Sequence, residues 1–518
     1  RGSRMNYVGA SVKQRLTTRW KNALRLRRVL ELCRTDPDGD PLLDLRPVWM
    51  ASPETVAQLF ARMPIFDVVI FDEASQLRLE EALPVLTRAK RFVIAGDPKQ
   101  LPPTRFFESA VSQSETEEIE TEEQLFEVQQ SRTEDLLSAA LSLDIEQAHL
   151  DVHYRSKNPE LIEFSNEHFY DSRLQAIPAH PARQSNTPAI RLVSAQGRYE
   201  KRVNEIEARR VCEIIKELLA RPNPPSIGVG CFNISQRDLI SDILDEMCTS
   251  DSQFATRLAS AREFRSRGAF EGLFVKNLEN VQGDERDHII ISTTYGPDAN
   301  GKFFRRFGPL AMPGGGRRLN VLVTRAREAV HLVTSIPREH YLAIPPIPSG
   351  QTPGGGYLLM AYIKYAEELQ NTYKQLENAI GAAEEGHPEA EKAVAAPATI
   401  VAGETKSPSI LAGATAGAIS HRHGRGSIVH WGNDGFSVDV ALRDPEKFAG
   451  VTSGVLCDWT RFDGADFPVE WDIFKSGVLA SQGWTLQRLW SPQVFRDFAT
   501  IIDGVIESDN AARSSMRK

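Results

Sequence analysis

The chain has few cysteines, no long apolar run and no positive net charge, and each shortage removes a class of protein. Its five cysteines, Cys33, Cys212, Cys231, Cys248 and Cys457, are scattered through 518 residues with no C-x-x-C pair. Neither a zinc site nor a disulfide framework is expected, and a reducing, cytoplasmic setting fits. No apolar run reaches the roughly 18–20 residues needed to span a bilayer, so no membrane partner is expected. A net charge of -8 argues against a uniformly basic coat for nucleic acid. A local basic groove stays compatible with it, because binding follows the placement of charge more than its total. The opening RGSRMN resembles neither a signal peptide nor a natural initiation site, and reads as a tag remnant on a fragment.

What is present is ordinary globular composition, with 41% hydrophobic and 25% charged residues. The length admits several domains at roughly 100–200 residues each. In a first region, 1–145, residues 10–34 are basic and helical in period, with Leu16, Leu24, Val29 and Leu30 among Arg and Lys. A solvated amphipathic helix and a nucleic-acid contact are both open there. DVVIF (67–71) and RFVIAGD (91–97) read as parallel strands buried on both faces. The acid run ETEEIETEE (115–123) reads as a solvated loop. In 146–344, the strand-like runs IGVGCF, HIIISTT and AVHLVTS alternate with helical stretches such as 202–220, which predicts a second α/β domain. Region 345–418 opens with PPIPSGQTPGGG (345–356), followed by a helix at about 357–385 and an Ala-, Gly- and Pro-rich connection. A compact third domain is expected over 419–508, with a tail at 509–518.

The residues that carry chemistry sit at strand ends. Asp72 and Glu73 follow an apolar strand, at the carboxyl edge where α/β sheets bind ligands. ATP hydrolysis needs one carboxylate to hold Mg²⁺ and another to position the attacking water. Asp72 suits the metal and Glu73 the water. The next strand ends in Gly96 and Asp97, followed by Lys99 and Gln100, which sets an amide where a γ-phosphate would lie. Arg155, Arg325 and Arg327 are candidates to complete such a site, since a guanidinium fork stabilises charge developing on phosphoryl oxygens. Gly283 and Glu285 precede the HIIIS strand, where a loop would meet nucleotide ribose or a nucleic-acid backbone.

FDVVIFDEAS (66–75), GDPKQLPPT (96–104), VHYRS (152–156), VQGDERD (281–287) and LNVLVTRARE (319–328) together resemble the later motifs of superfamily 1 helicases. PVWMASPETVAQ (47–58) and LIEFSNEHFY (161–170) are similar to the large bacterial members of the RNA-decay and DNA-replication branch. The resemblance implies α/β architecture: RecA-like parallel-sheet domains, the first incomplete, with ATP and Mg²⁺ bound between them and a single strand across their top. DNA is favoured over RNA as that strand. It assigns Walker B roles to Asp72 and Glu73, the γ-phosphate contact to Gln100, and finger roles to Arg155 and Arg325. The phosphate loop G-x-x-x-x-G-K-[ST] that should precede these motifs does not precede them here. The chain therefore reads as the back part of a motor, with its ATP cradle on the same or another polypeptide. GPDANGKF (296–303) has the loop's spacing, but Phe303 offers no hydroxyl for Mg²⁺, so it is not expected to cradle phosphate.

Downstream, GFSVDVALRDP (435–445), GVLCDW (454–459) and TLQRLWS (485–491) read as strands, and EWDIFKSGVLASQGW (470–484) as a helix. An Asp such as Asp439 at a strand end is compatible with a structural role or with a metal-dependent nuclease centre. The segment 421–498 resembles the very-short-patch-repair type of endonuclease, with a restriction-endonuclease-like fold, through these strands and RLWSPQVF (488–495). The resemblance makes Asp439 the metal-binding acid, with a carbonyl at Cys457 as a second donor. It matches Asp458, Asp472 and Lys475 to retained polar positions. Leu456 stands where the family has Glu, and Asp463 where it has His. An active nuclease and a degenerate binding module are both open. The function expected is a nucleic-acid motor with a nuclease-like domain, for processing or defence against foreign DNA. The alternative is a non-catalytic module that holds nucleic acid or a partner.

Overall fold

The computed structural model describes Leu30, Leu43 and residues 46–101, 135–143, 145–177, 180, 187–266, 268–312, 314–347, 352–384, 410–432, 437–445, 450–457 and 468–516. The basic stretch 10–34 (apart from Leu30), the acid run 115–123, and Asp458 and Asp463 lie outside the described residues, as does the side chain of Asp472. The chain divides into two compact units, Arg1–Gln147 and Ala148–Lys518.

In the first unit, helix α1 (Pro53–Leu59) starts at Ser52, whose side chain accepts from Thr55 N at 3.3 Å, with Pro53 in the first turn. Strand β1 (Phe66–Phe71) then pairs in parallel with β2 (Ala89–Ile94), Phe66 facing Ala89 and Phe71 facing Ile94. Helix α2 (Leu79–Leu86) makes the crossover, as a parallel pair requires. Phe71, Ala74, Ala82 and Val85 form a small core with Leu136 and Leu137 from helix α3 (Leu136–Leu141). Buried Arg88 donates to the carbonyls of Phe60 and Ala57, tying the end of α2 to α1. The expectation of strands buried on both faces fails here. Val68, Ile70, Phe92 and Val93 are exposed, because two strands and short helices are all that the described residues of this unit stack together.

In the second unit, β3 (Ile190–Ser194), β4 (Ile227–Cys231), β5 (Phe274–Asn277), β6 (Arg286–Ser292) and β7 (Ala326–Thr334) form one sheet in the order β3-β7-β6-β4-β5, parallel throughout. This parallel α/β core is consistent with a RecA-like helicase domain. The inner strands β4 and β6 are buried along nearly their whole length, as cover on both faces requires, whereas β3 and β5 at the edges are partly exposed. Ile290 enters one core, with residues of α5 (Glu205–Leu219) and α6 (Ile234–Ser250). Ile289 and Ile291 enter the opposite core, with Phe164 of α4 (Glu160–Phe169) and Leu319 and Leu322 of α7 (Gly315–Val323). Helix α8 (Gly355–Glu384), in the region expected as a linker, adds Leu359, Tyr362, Ile363, Ala366 and Leu369 to that second core. Its polar side chains also bond back, Tyr373 donating to Glu160 at 2.6 Å and Gln370 to the carbonyl of Leu192 at 3.0 Å.

A small α/β element order follows: α9 (Ile410–His423), β8 (Ser427–Trp431), β9 (Val438–Arg443), β10 (Val451–Cys457), α10 (Pro468–Ser481), β11 (Leu486–Leu489) and α11 (Phe498–Met516). The first two pairings are antiparallel and β10–β11 is parallel. Helices α9 and α11 cover one face through Ala412, Ile419, Ile502 and Val505. The other face holds Val438, Ala441, Leu456, Leu479 and Trp484, and into it inserts Ile177, from the segment that follows α4. His180 N donates to Gln482 O at 3.1 Å, and its ring meets Trp484 edge-on at 4.9 Å. No described helix is long and apolar enough to cross a membrane.

Candidate functional site

The two strand ends of the first unit converge. Ala74 N donates to Ala95 O at 2.9 Å, and Ala95 N to Phe71 O at 2.8 Å. The approach is close enough that a side chain at Gly96 would stand 3.1 Å from the amides of Ala74 and Ser75. Asp72 and Glu73 therefore share the carboxyl edge of the pair with the Gly96–Gln100 loop. Glu73 is held in the left-handed region, at φ 52° and ψ 41°, a conformation that costs a non-glycine residue about 1–3 kcal/mol. Its Oε2 accepts from Gln76 Nε2 at 3.0 Å, and its amide donates to Asp72 Oδ1 at 3.0 Å. Asp97 organises the neighbouring loop: Oδ1 accepts from Lys99 N at 2.8 Å, and Oδ2 from Gln100 Nε2 at 3.2 Å. Asp72 and Glu73 are exposed carboxylates, and Asp72 would give Mg²⁺ an oxygen with water completing the shell.

The second unit gathers a second set. Arg155 Nε lies 2.7 Å from Glu285 Oε1. Its segment is anchored along the start of β7, Lys157 N donating to Arg327 O at 2.8 Å. His153 orients that turn. Ser156 N donates to its Nε2 at 3.2 Å, and burial, with the charge of Arg155 second, pulls the imidazole down to about 4. Arg286 N donates to Arg325 O at 3.3 Å, which brings 285–286 and 325–327 together. Gly283, at φ 84°, takes a left-handed turn open to solvent just before Glu285.

The three arginines differ in situation. Arg155 is partly exposed, whereas Arg325 is buried and donates through Nε to Val321 O at 2.8 Å. Arg327, expected to bind cofactor, forks instead onto Glu271, with Nη1–Oε1 at 2.9 Å and Nη2–Oε2 at 2.5 Å, and reaches Asp287 at 3.1 Å and Ser226 at 3.1 Å. The bond from Arg327 holds the Glu271 carboxyl below its usual range. Asp287 lay in a quoted motif, whereas Glu271 sits outside any motif and only the fold brings it to Arg327.

Asp439 of β9 is buried, and its Oδ2 accepts from Cys457 N at 2.5 Å. Leu456, the neighbour of Cys457 in β10, packs into the apolar face with Trp484. The donor set among the described residues is one carboxylate, already bonded to an amide, and one backbone carbonyl. That falls short of the carboxylate-rich oxygen shell of a Mg²⁺-dependent nuclease. No cluster of three or more potential metal ligands occurs among the described residues.

GPDANGKF forms no phosphate cradle: Asp298 Oδ1 itself accepts from Asn300 N and Lys302 N, each at 2.9 Å. No helix starts there to point amides at a phosphate.

Comparison with known proteins agrees with the motor motifs. Residues 53–108 and 122–336 match families described as AAA domain. The uncharacterized ATP-dependent helicase MG140 of Mycoplasma genitalium is 34% identical over 388 residues, covering 70% of this chain and 33% of that protein. Helicase sen1 of Schizosaccharomyces pombe is 25% identical over 52% of this chain and 14% of its own length. The DNA replication ATP-dependent helicase/nuclease DNA2 of Gallus gallus is 27% identical over 52% of this chain and 23% of its own. The chain thus spans a third or less of these relatives. The matches support a superfamily 1 helicase.

Proposed function

We propose that the chain is part of an ATP-dependent helicase or translocase that moves on single-stranded nucleic acid, with DNA favoured over RNA. The observation that carries this reading is the convergence of Asp72, Glu73 and the Gly96–Gln100 loop at one carboxyl edge, with Glu73 held in a costly left-handed conformation. Bound Mg²⁺ would neutralise charge on ATP, and Asp72 would hold it. Glu73 would orient the attacking water, and Gln100 would contact the terminal phosphate. The exposed Val68, Ile70, Phe92 and Val93 support further sheet and helix packing on the first unit, which is where a phosphate loop would come from.

The test is ATP turnover by the full-length protein with and without a single strand. Glu73→Gln should abolish stimulated turnover, a loss of at least about 100-fold. Retained turnover in that variant sinks the assignment. The chain by itself should bind ATP poorly.

For the C-terminal domain, helix–three strands–helix–strand order supports a restriction-endonuclease-like reading. The buried Leu456 and the amide bond to Asp439 favour a degenerate module over an active nuclease. Single- and double-stranded DNA incubated with Mg²⁺ or Mn²⁺ should stay intact. Cleavage that disappears in Asp439→Ala would restore the nuclease.

A further inference from the structure

A basic segment leads into the last of the motor motifs. Between residues 299 and 327 the sequence holds seven basic residues and no acidic one, in a chain whose net charge is -8. Three of the seven serve the fold: Arg318 pairs with Glu279 at 3.3 Å, Arg325 is buried, and Arg327 forks onto Glu271. Lys302, Arg305, Arg306 and Arg317 are exposed and form no ion pair among the described residues.

Three of those four sit on a loop that is pinned rather than loose. Asp298 N donates to Lys302 O at 3.0 Å, and Gly301 N to Asp298 O at 2.9 Å. Phe303 and Phe307 turn inward, Phe303 against His340 at 4.9 Å and Phe307 edge-on to Tyr295 at 5.5 Å. Arg305 donates to His340 O at 3.1 Å. Between these anchors Phe304 points outward, 45% exposed. Lys302 Nζ lies 4.7 Å from its ring centroid and Arg306 Cζ 5.8 Å from it.

We infer that Phe304, flanked by Lys302 and Arg306, is a stacking platform for one base of a single strand. The inference rests on the proposed nucleic-acid reading and supplies it with a residue. A nucleobase is planar and stacks on an aromatic face, and the phosphates on its two sides would meet the cations two residues before and after the ring. An acidic peptide would use the cations and leave the phenyl ring without a planar partner. The two anchored phenylalanines fix the loop beforehand, so little ordering entropy is lost on binding.

The experiment is fluorescence anisotropy of a labelled oligothymidylate titrated with the full chain, repeated with oligouridylate. Phe304→Ala should weaken binding roughly 5- to 100-fold, and Phe304→Tyr should restore it to within about threefold. Lys302→Ala with Arg306→Ala should flatten the dependence of log affinity on log salt by about 1.4, the release expected for two phosphate contacts on a single strand. Unchanged affinity in Phe304→Ala together with an unchanged salt slope in the double variant overturns the inference and leaves the motor reading standing. No binding by the unmodified chain overturns both. Tighter binding of oligouridylate keeps the platform and turns the strand preference to RNA.

Discussion

In the strand Phe66–Phe71 an isoleucine, Ile70, is 69% exposed, whereas in Arg286–Ser292 three consecutive isoleucines, Ile289, Ile290 and Ile291, are fully buried. Both are short apolar runs in a parallel ladder, and each adjoins a loop with candidate site residues. They differ in neighbours: one pairs with a single strand, and the other lies third in a sheet of five. A parallel strand is apolar on both faces because helices are meant to cover both. Where cover is present, the same residues form a core; where the described residues supply none, they form a surface. Function follows the same division. The exposed edge of the first unit presents carboxylates to solvent, and the enclosed sheet of the second buries charge in pairs.

The widest separation is expected in the cores themselves. Ile290→Ala should cost about 2–5 kcal/mol in denaturant unfolding. Ile70→Ala should stay within about 0.5 kcal/mol, as for an ordinary surface change. Equal losses would break the comparison, and a large Ile70 loss in the longer protein would sharpen it by showing the face to be covered there.

Buried ionisable groups give the next effect, and Glu207 is a carboxylate among them. It accepts from Thr294 N at 2.6 Å, Ser292 Oγ at 2.8 Å and Ser335 Oγ at 3.1 Å, yet burial pushes its carboxyl up to about 7. The folded state then holds its proton more tightly than the unfolded state, whose glutamate titrates near 4.5. The stability from that proton is complete below about 4.5 and is lost as pH rises through about 7, a change on the order of 3 kcal/mol. Glu207→Gln removes this slope. His288 runs the other way, since burial, with nearby arginines second, lowers its imidazole to about 4. Its contribution is present above about 6.5 and lost as pH falls towards 4. The quantity to measure is therefore the difference in unfolding free energy between the unmodified chain and Glu207→Gln across pH. A difference that is flat, or that favours the unmodified chain as pH rises, would remove Glu207 as its source.

Ion pairs give the smallest contrast. Arg327→Ala, which strands Glu271 and Asp287 in a partly buried pocket, should cost about 1.5–3 kcal/mol. Lys90→Ala, which removes an exposed partner 2.9 Å from Asp67, should leave the melting curve unchanged. Similar losses from both would mean that the second unit does not desolvate its charges as its burial implies.

Much of this was legible along the chain. Alternating strands and helices announced a parallel sheet, and the runs around Ile227, Ile289 and Val330 fell where the strands form, because a strand buried on both faces needs a local apolar run. The placement of Asp72 and Glu73 at one strand end and of Gln100 in the loop after the next strand was legible, because the apolar runs before them form the strands. Other features were not. Nothing local to Glu271 marks it as the partner of Arg327, 56 positions away, and Ile177 carries no sign that it enters the core of the C-terminal sheet.

The sequence by itself determined the strand and helix periods, the motif carboxylates and the acid-free basic stretch, all of which are properties of neighbours along a covalent chain. The tertiary structure decided which arginine is exposed and which is buried, which apolar face is covered, and which phenylalanine in FFRRF turns outward. Burial and desolvation depend on what other segments bring to a residue, and that distance is set by packing rather than by sequence separation.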